Sequence, residues 1–147
     1  MTRSGRTSMF SGLVYCADCG AKMYYGATNN YKPQNAFFDC YLHWKDKEKC
    51  GTHYIRESVL ERLVLHHIQM VTNHILHHKD YFVSVMGQQM RLESSEKLTP
   101  YALRELIQGI YVEAPDKSTG KRRQTIYIKY DGIGFIPLDV LMNGKTA

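Results

Sequence analysis

Apolar positions along this chain follow two rhythms. Residues 10–15 form a short β-prone run, and residues 22–25 and 36–41 read as two strands joined by the polar stretch 26–35. The spacing then changes. Val59, Leu60, Leu63, Val64, Ile68, Val71, Ile75 and Leu76 recur at three- and four-residue intervals, the stripe of a helix beginning near Arg56 with one face in a core. A second apolar stretch, Tyr81, Phe82, Val85, Met86 and Met90, is weakened by Gly87 and stops at Ser94 and Ser95. Thr99 followed by Pro100 predicts a new helix start, a hydroxyl N-cap with proline at the first helical position. Leu103, Leu106 and Ile107 face inward in that helix, which is expected to end near Gly109. Residues 110–113 and 125–130 predict a hairpin across the turn-forming stretch 115–120. Ile126, Ile128 and Tyr130 alternate as on a half-buried strand.

At 147 residues the chain has the length of one domain with short appendages. Its organisation reads as a lead-in (1–9), a compact β unit (10–56), a helical segment (57–98), a helix plus β-hairpin completing the same domain (99–136) and a tail (137–147). Hydrophobic residues make up 44% and charged residues 22%, which excludes wholesale disorder. No apolar run approaches the roughly 20 residues of a membrane span, and no secretory signal pattern opens the chain. Neither GxxxxGK[ST] nor GxGxxG occurs, which removes the common phosphate-cradling enzymes.

The formal charge is +5, unevenly spread: +4 over residues 1–56, −1 over 57–98 and +2 over 99–147. Positive ends on a neutral middle suit a polyanion partner, although a solubilising surface would look similar.

Cysteine spacing carries the most chemistry. Cys16, Cys19, Cys40 and Cys50 form a C-x2-C-x20-C-x9-C pattern confined to the first third. An even count also permits two disulfides, and a C-x-x-C can be a redox pair. A reducing compartment disfavours the first and the absence of a surrounding βαβ unit disfavours the second. Two residues between Cys16 and Cys19, with Gly20 behind, let a tight turn aim both sulfurs at one point. The pattern therefore favours one structural Zn(II) per chain, closed to substrate because four thiolates leave no open position. His43 and His53 lie near the later cysteines as less favoured replacement ligands. His74 and His78 have the spacing of a helical metal clamp but lack an H-E-x-x-H, so His66, His67, His74, His77 and His78 read as solvated or partly buried helix histidines. The arrangement is a zinc ribbon: two knuckles at the ends of short hairpins, in a unit of about 45 residues that needs the metal to fold.

The segment Phe10-Ser11-Gly12-Leu13-Val14-Tyr15-Cys16-Ala17-Asp18-Cys19-Gly20-Ala21-Lys22-Met23 resembles the opening of the zinc β-ribbon domain of large serine recombinases, the transposon resolvase and phage integrase type. Cys50-Gly51-Thr52-His53-Tyr54-Ile55-Arg56 before an apolar helix is similar to the same family. So are residues 126–130 and Gly132-Ile133-Gly134 near the C-terminus. The resemblance implies an α+β domain, a zinc ribbon packed with a long helix, a second short helix and a C-terminal β-hairpin. It implies a non-catalytic fragment, since the family's serine nucleophile lies in a preceding domain and no Ser here sits with a base and an oxyanion site. Family members also carry a long coiled-coil arm between the two helices. Here only residues 90–98 separate the helical patterns, so the arm is expected to be shortened to a remnant near 80–98 and the chain to be a monomer.

The function implied is sequence-specific recognition of double-stranded DNA at an attachment site or transposon end, with recombinase subunits as partners in the full-length protein. The place implied is the bacterial cytoplasm, at the nucleoid when DNA-bound, with no membrane partner. Candidate DNA contacts are Arg3, Arg6, Lys22, Asn29, Asn30, Lys32 and Arg56, backed by Lys45, Lys47 and Lys49, with Lys121, Arg122 and Arg123 as a second group in the C-terminal hairpin. Amide side chains such as Asn29 and Asn30 suit adenine edges, and Lys or Arg suits guanine or phosphate. The alternative is a zinc-stabilised protein-interaction module without DNA readout. A metalloenzyme or redox thiol protein is a distant third.

Overall fold

A computed structural model describes residues 5–27, 32–77 and 99–136, the side chains of Pro33 and of residues 74–77 excepted. The second apolar stretch, the arm remnant, the tail, Arg3, Asn29 and Asn30 lie outside these residues.

Two small sheets and a long helix share one core. Strand β1 (Val14–Cys16) leads into the first cysteine turn. Strands β2 (Met23–Gly26), β3 (Phe37–Cys40) and β4 (Tyr54–Arg56) form an antiparallel sheet in that order, with Met23 opposite Cys40 and Phe38 opposite Ile55. A short helix, α1 (Tyr41–Lys45), follows β3. Helix α2 (Glu57–His77) runs 21 residues from the end of β4 and buries Leu60, Val64, His67, Ile68 and Val71. Those positions fall at the i, i+3, i+4 spacing of one helix face, as the apolar stripe requires.

The remaining described residues complete the other sheet. Helix α3 (Pro100–Leu106) is capped as expected, the Thr99 hydroxyl accepting from the Ala102 N–H at 3.2 Å. It ends at Leu106 rather than near Gly109. Ile107 is already extended, and β5 (Ile107–Val112) begins there, earlier than the expected 110. The cause is tertiary. Strand β5 pairs in parallel with β1, Val14 beside Ile110, and the Ile110 N–H bonds the Leu13 carbonyl at 2.7 Å. Ile107 and Gly109 themselves pair antiparallel with Tyr130 and Lys129, and that pairing outweighs the helical preference of residues 107–109. Strand β6 (Ile126–Tyr130) pairs antiparallel with β5, burying Ile126, Ile128 and Tyr130, and β7 (Gly134–Phe135) adds a last short rung. The sheet order is β1-β5-β6-β7.

The long helix, expected to begin near Arg56, begins at Glu57, and residues 54–56 before it form the unanticipated strand β4. The first knuckle's hairpin is also smaller than expected, a single bridge between Tyr15 and Lys22. Phe10, Phe38, Ile55, Leu60, Val64, Leu103, Ile107, Ile110 and Ile128 are fully buried, so both sheets and α2 contribute to one core. The architecture is α+β.

Candidate metal centre and basic surface

Each knuckle is built by a local turn. In the first, the Gly20 N–H reaches the Cys16 carbonyl and the Cys16 N–H reaches the Ala21 carbonyl, both at 2.9 Å. Gly20 supplies the positive φ of +69° that closes this turn without a Cβ penalty. In the second, Asp46 organises the chain after α1. Its carboxylate accepts from the Glu48 N–H at 3.1 Å and pairs with Lys49 at 3.0 Å, while its carbonyl takes the Lys49 N–H. That turn delivers Cys50 back beside Cys40.

The four sulfurs converge, all lying within 4.8 Å of one another. Cys16 and Cys50 are 3.6 Å apart, as are Cys19 and Cys40, and Cys40 and Cys50 are 3.9 Å apart. A tetrahedron with Zn–S bonds of about 2.3 Å has edges of about 3.8 Å. These separations fit that solid and are far beyond the roughly 2 Å of a disulfide. All four cysteines are free. Four thiols at metal-binding distance in a ribbon of this kind support one structural zinc.

Protonation follows the surroundings. Burial pushes the Cys16 thiol up to about 11. Burial, then hydrogen bonds with Cys16, Cys19 and Cys40, hold Cys50 well above the ordinary range. Burial also raises Cys19, but the Ala21 backbone and the neighbouring thiols outweigh it and leave that group below its usual value. A metal must therefore displace protons from buried thiols to enter.

Histidines surround the cluster without joining it. His43 Nδ1–H donates to the Cys50 carbonyl at 2.9 Å, fixing the second knuckle. His53 is completely buried. Its Nδ1 lies 2.9 Å from the Gly51 carbonyl and 3.6 Å from Cys50 Sγ, and its Nε2 lies 2.9 Å from an Asp18 carboxylate oxygen. The imidazole thus stands between the loop of the second knuckle and the Asp18 carboxylate of the first, its Nε2 close to that carboxylate without a hydrogen bond to it. Such an outer contact orients a metal ligand. The proximity of Asp18 was not foreseen, because residues 35 positions apart leave no local signal.

The cationic candidates divide by place. Lys22, Lys32, Lys45, Lys47 and Arg56 are exposed on the ribbon side, as is Lys49, which pairs with Asp46. Arg6 is exposed. Lys121, Arg122 and Arg123 are exposed in the β5–β6 connection, but Arg122 is held in place. Its guanidinium donates to the Tyr54 carbonyl and to Gln124 Oε1, and stands 5.4 Å from the Tyr54 ring centre. This brings Arg122 against β4 of the ribbon. Arg62, on α2, shares a groove of about 470 Å³ with Arg56 and Arg122. Sequence reasoning counted Arg62 only within a near-neutral segment and did not separate the face it occupies.

His67, expected among solvated or partly buried helix histidines, is instead a fully enclosed link, 3% exposed, with Nδ1 2.8 Å from the Tyr130 hydroxyl. His74 and His78 lie outside the described side chains. No helix of the described residues is long and apolar enough to cross a membrane.

No curated protein and no solved structure matches the chain. Comparison with known families matches residues 9–69 to the recombinase zinc beta ribbon domain. The match spans β1, both knuckles, the three-stranded sheet and the first half of α2. It is a non-catalytic domain associated with serine recombinases, and it points to DNA and recombinase partners. With its four clustered thiols and its ribbon strands, the segment 9–69 of this chain is similar to the recombinase zinc beta ribbon domain.

Proposed function

We propose that this chain is the DNA-binding domain of a site-specific serine recombinase. It recognises double-stranded DNA at the attachment site or element end and leaves cleavage to a catalytic domain of the full-length protein. The observation that carries the reading is the family match over residues 9–69 together with the four-sulfur cluster at its centre. Exposed cations on both sides of the Tyr54–Arg122 contact support it, since most protein–DNA hydrogen bonds go to phosphate oxygens and sugar. Its setting is the bacterial nucleoid, and its further partners are other recombinase subunits.

The test is a gel shift of zinc-loaded protein on element-end and random duplexes at several salt concentrations. Preference for the element end of about a thousandfold or more, with affinity on both falling steeply as salt rises, is the expected result. Equal, salt-insensitive association would overturn it.

A second reading, a protein-docking module, draws on the exposed aromatic face of the ribbon. Tyr24 is 58% exposed and Trp44 80%, and Tyr24 meets Tyr41 edge-to-face beside a groove of about 350 Å³. Binding to a recombinase subunit that survives high salt would favour it.

A further inference from the structure

The groove shared by Arg56, Arg62 and Arg122 lies where three parts of the chain meet. Arg56 ends β4, Arg62 stands on the second turn of α2, and Arg122 arrives from the β5–β6 connection. Tyr54 and Gln124 line it as well, and among the described residues no carboxylate does. The ion pairs of the described residues are Lys49 with Asp46 and His53 with Asp18, so no acid neutralises Arg56 or Arg62 at salt-bridge distance. The neighbouring carboxylate of Glu57 is engaged elsewhere, by the Ser8 and Tyr25 hydroxyls.

Gathering three guanidiniums without an acid is unfavourable by itself and becomes favourable when an anion enters. Arg122 is also preorganised. Two of its hydrogen bonds and the Tyr54 ring fix its plane, leaving further donors of its five N–H groups for a ligand. Guanidinium is the group that meets phosphate oxygens in a two-pronged, planar fashion.

We propose that this groove is a backbone-phosphate clamp, in which Arg62 and Arg122 with Arg56 grip the sugar–phosphate strand of duplex DNA and set the ribbon's register on it. The inference rests on the DNA-binding reading and deepens it. It assigns Arg122 to phosphate rather than to base edges and adds Arg62. Free phosphate offers the same chemistry, but the groove is rimmed by exposed side chains and open to an extended strand.

The experiment measures binding of Arg62→Gln, Arg122→Gln and the double variant to element-end and random duplexes across a salt series, with Lys45→Gln/Lys47→Gln as comparison. Zinc content and far-UV circular dichroism report folding. Arg62 makes no ion pair among the described residues, so its variant keeps the test open if Arg122→Gln fails to fold. The double variant is expected to weaken both duplexes by a similar factor, about tenfold or more. It should lower the salt slope by about two, with discrimination between duplexes unchanged. Arg62→Gln alone should lower it by about one. An unchanged slope in folded variants, while wild type still binds DNA, overturns the clamp and leaves the DNA-binding reading standing. Loss of discrimination alone overturns it in favour of base reading. Saturable binding of inorganic phosphate by wild type, lost in Arg62→Gln with no change on DNA, overturns it in favour of a free-anion site. Absence of any duplex binding by wild type overturns both readings.

Discussion

Proton release and metal uptake are one event at Cys16 and Cys50. Both thiols are held above their ordinary value of 9.0 in the metal-free fold, Cys16 at about 11, so both stay protonated through neutral pH. Zinc binding must expel at least those two protons, and its affinity is expected to rise at least about a hundredfold per pH unit between pH 6 and 8, read by chelator competition. Replacing Cys40 with Ser breaks the tetrahedron and is expected to abolish stoichiometric zinc and unfold the ribbon, seen as lost metal content and lost far-UV signal. His67 works in the opposite sense. Burial lowers it from its ordinary 6.5, partly offset by the Ile136 backbone, so it is neutral when folded. The unfolded chain takes up a proton below pH 6.5 and the folded one does so only at lower pH, so this stability is present above pH 6.5 and lost as pH falls. Urea unfolding of His67→Gln is expected to show a flatter pH dependence over that window. The cysteines were legible from spacing because the turn that pairs Cys16 with Cys19 is local. His53 and His67 were not, because their partners, Asp18 and Tyr130, lie far off in sequence.

Boundaries, at the scale of elements, were set by two different forces. The start of α3 is a local matter, hydroxyl cap plus proline, and it was readable as such. Removing that cap by Thr99→Ala is expected to destabilise the protein by about 1 kcal/mol in chemical denaturation. The end of α3 and the start of β5 are tertiary matters, fixed by the antiparallel pairing of Ile107 and Gly109 with β6, and no periodicity in residues 107–109 announces it. Gly109 also shows how closely β5 sits against its neighbours. A Cβ there would stand 3.2 Å from the Tyr111 ring and 3.3 Å from the Tyr15 ring, which themselves stack at 5.4 Å between centres. The substitution Gly109→Ala is expected to destabilise by roughly 1–2 kcal/mol, by forcing this tyrosine pair apart. Strand β4 was hidden for a third reason. Three residues against a long helical stripe carry too little pattern to be separated from it.

For the molecule as a whole, the metal centre and the core are stitched together from distant ends. Strand β1, which carries Cys16, has its sheet partner in β5, and α2 is tied to β6 through His67 and Tyr130. The recognised ribbon segment, residues 9–69, thus leaves β1 without that neighbour. A chain truncated after His77 is expected to retain zinc in its four thiols but to aggregate, measured by light scattering and metal analysis, because it exposes the edge of β1 and the faces that Leu103, Ile110 and Ile128 cover. The same pairing dictates an order of events on the ribosome. Both knuckles close over short loops, whereas the rung between Val14 and Ile110 waits until β5 has been made. Through that interval the nascent chain carries a metal-locked ribbon with one unpaired strand. The sheet that β1 begins is therefore closed only by residues far from the metal in sequence.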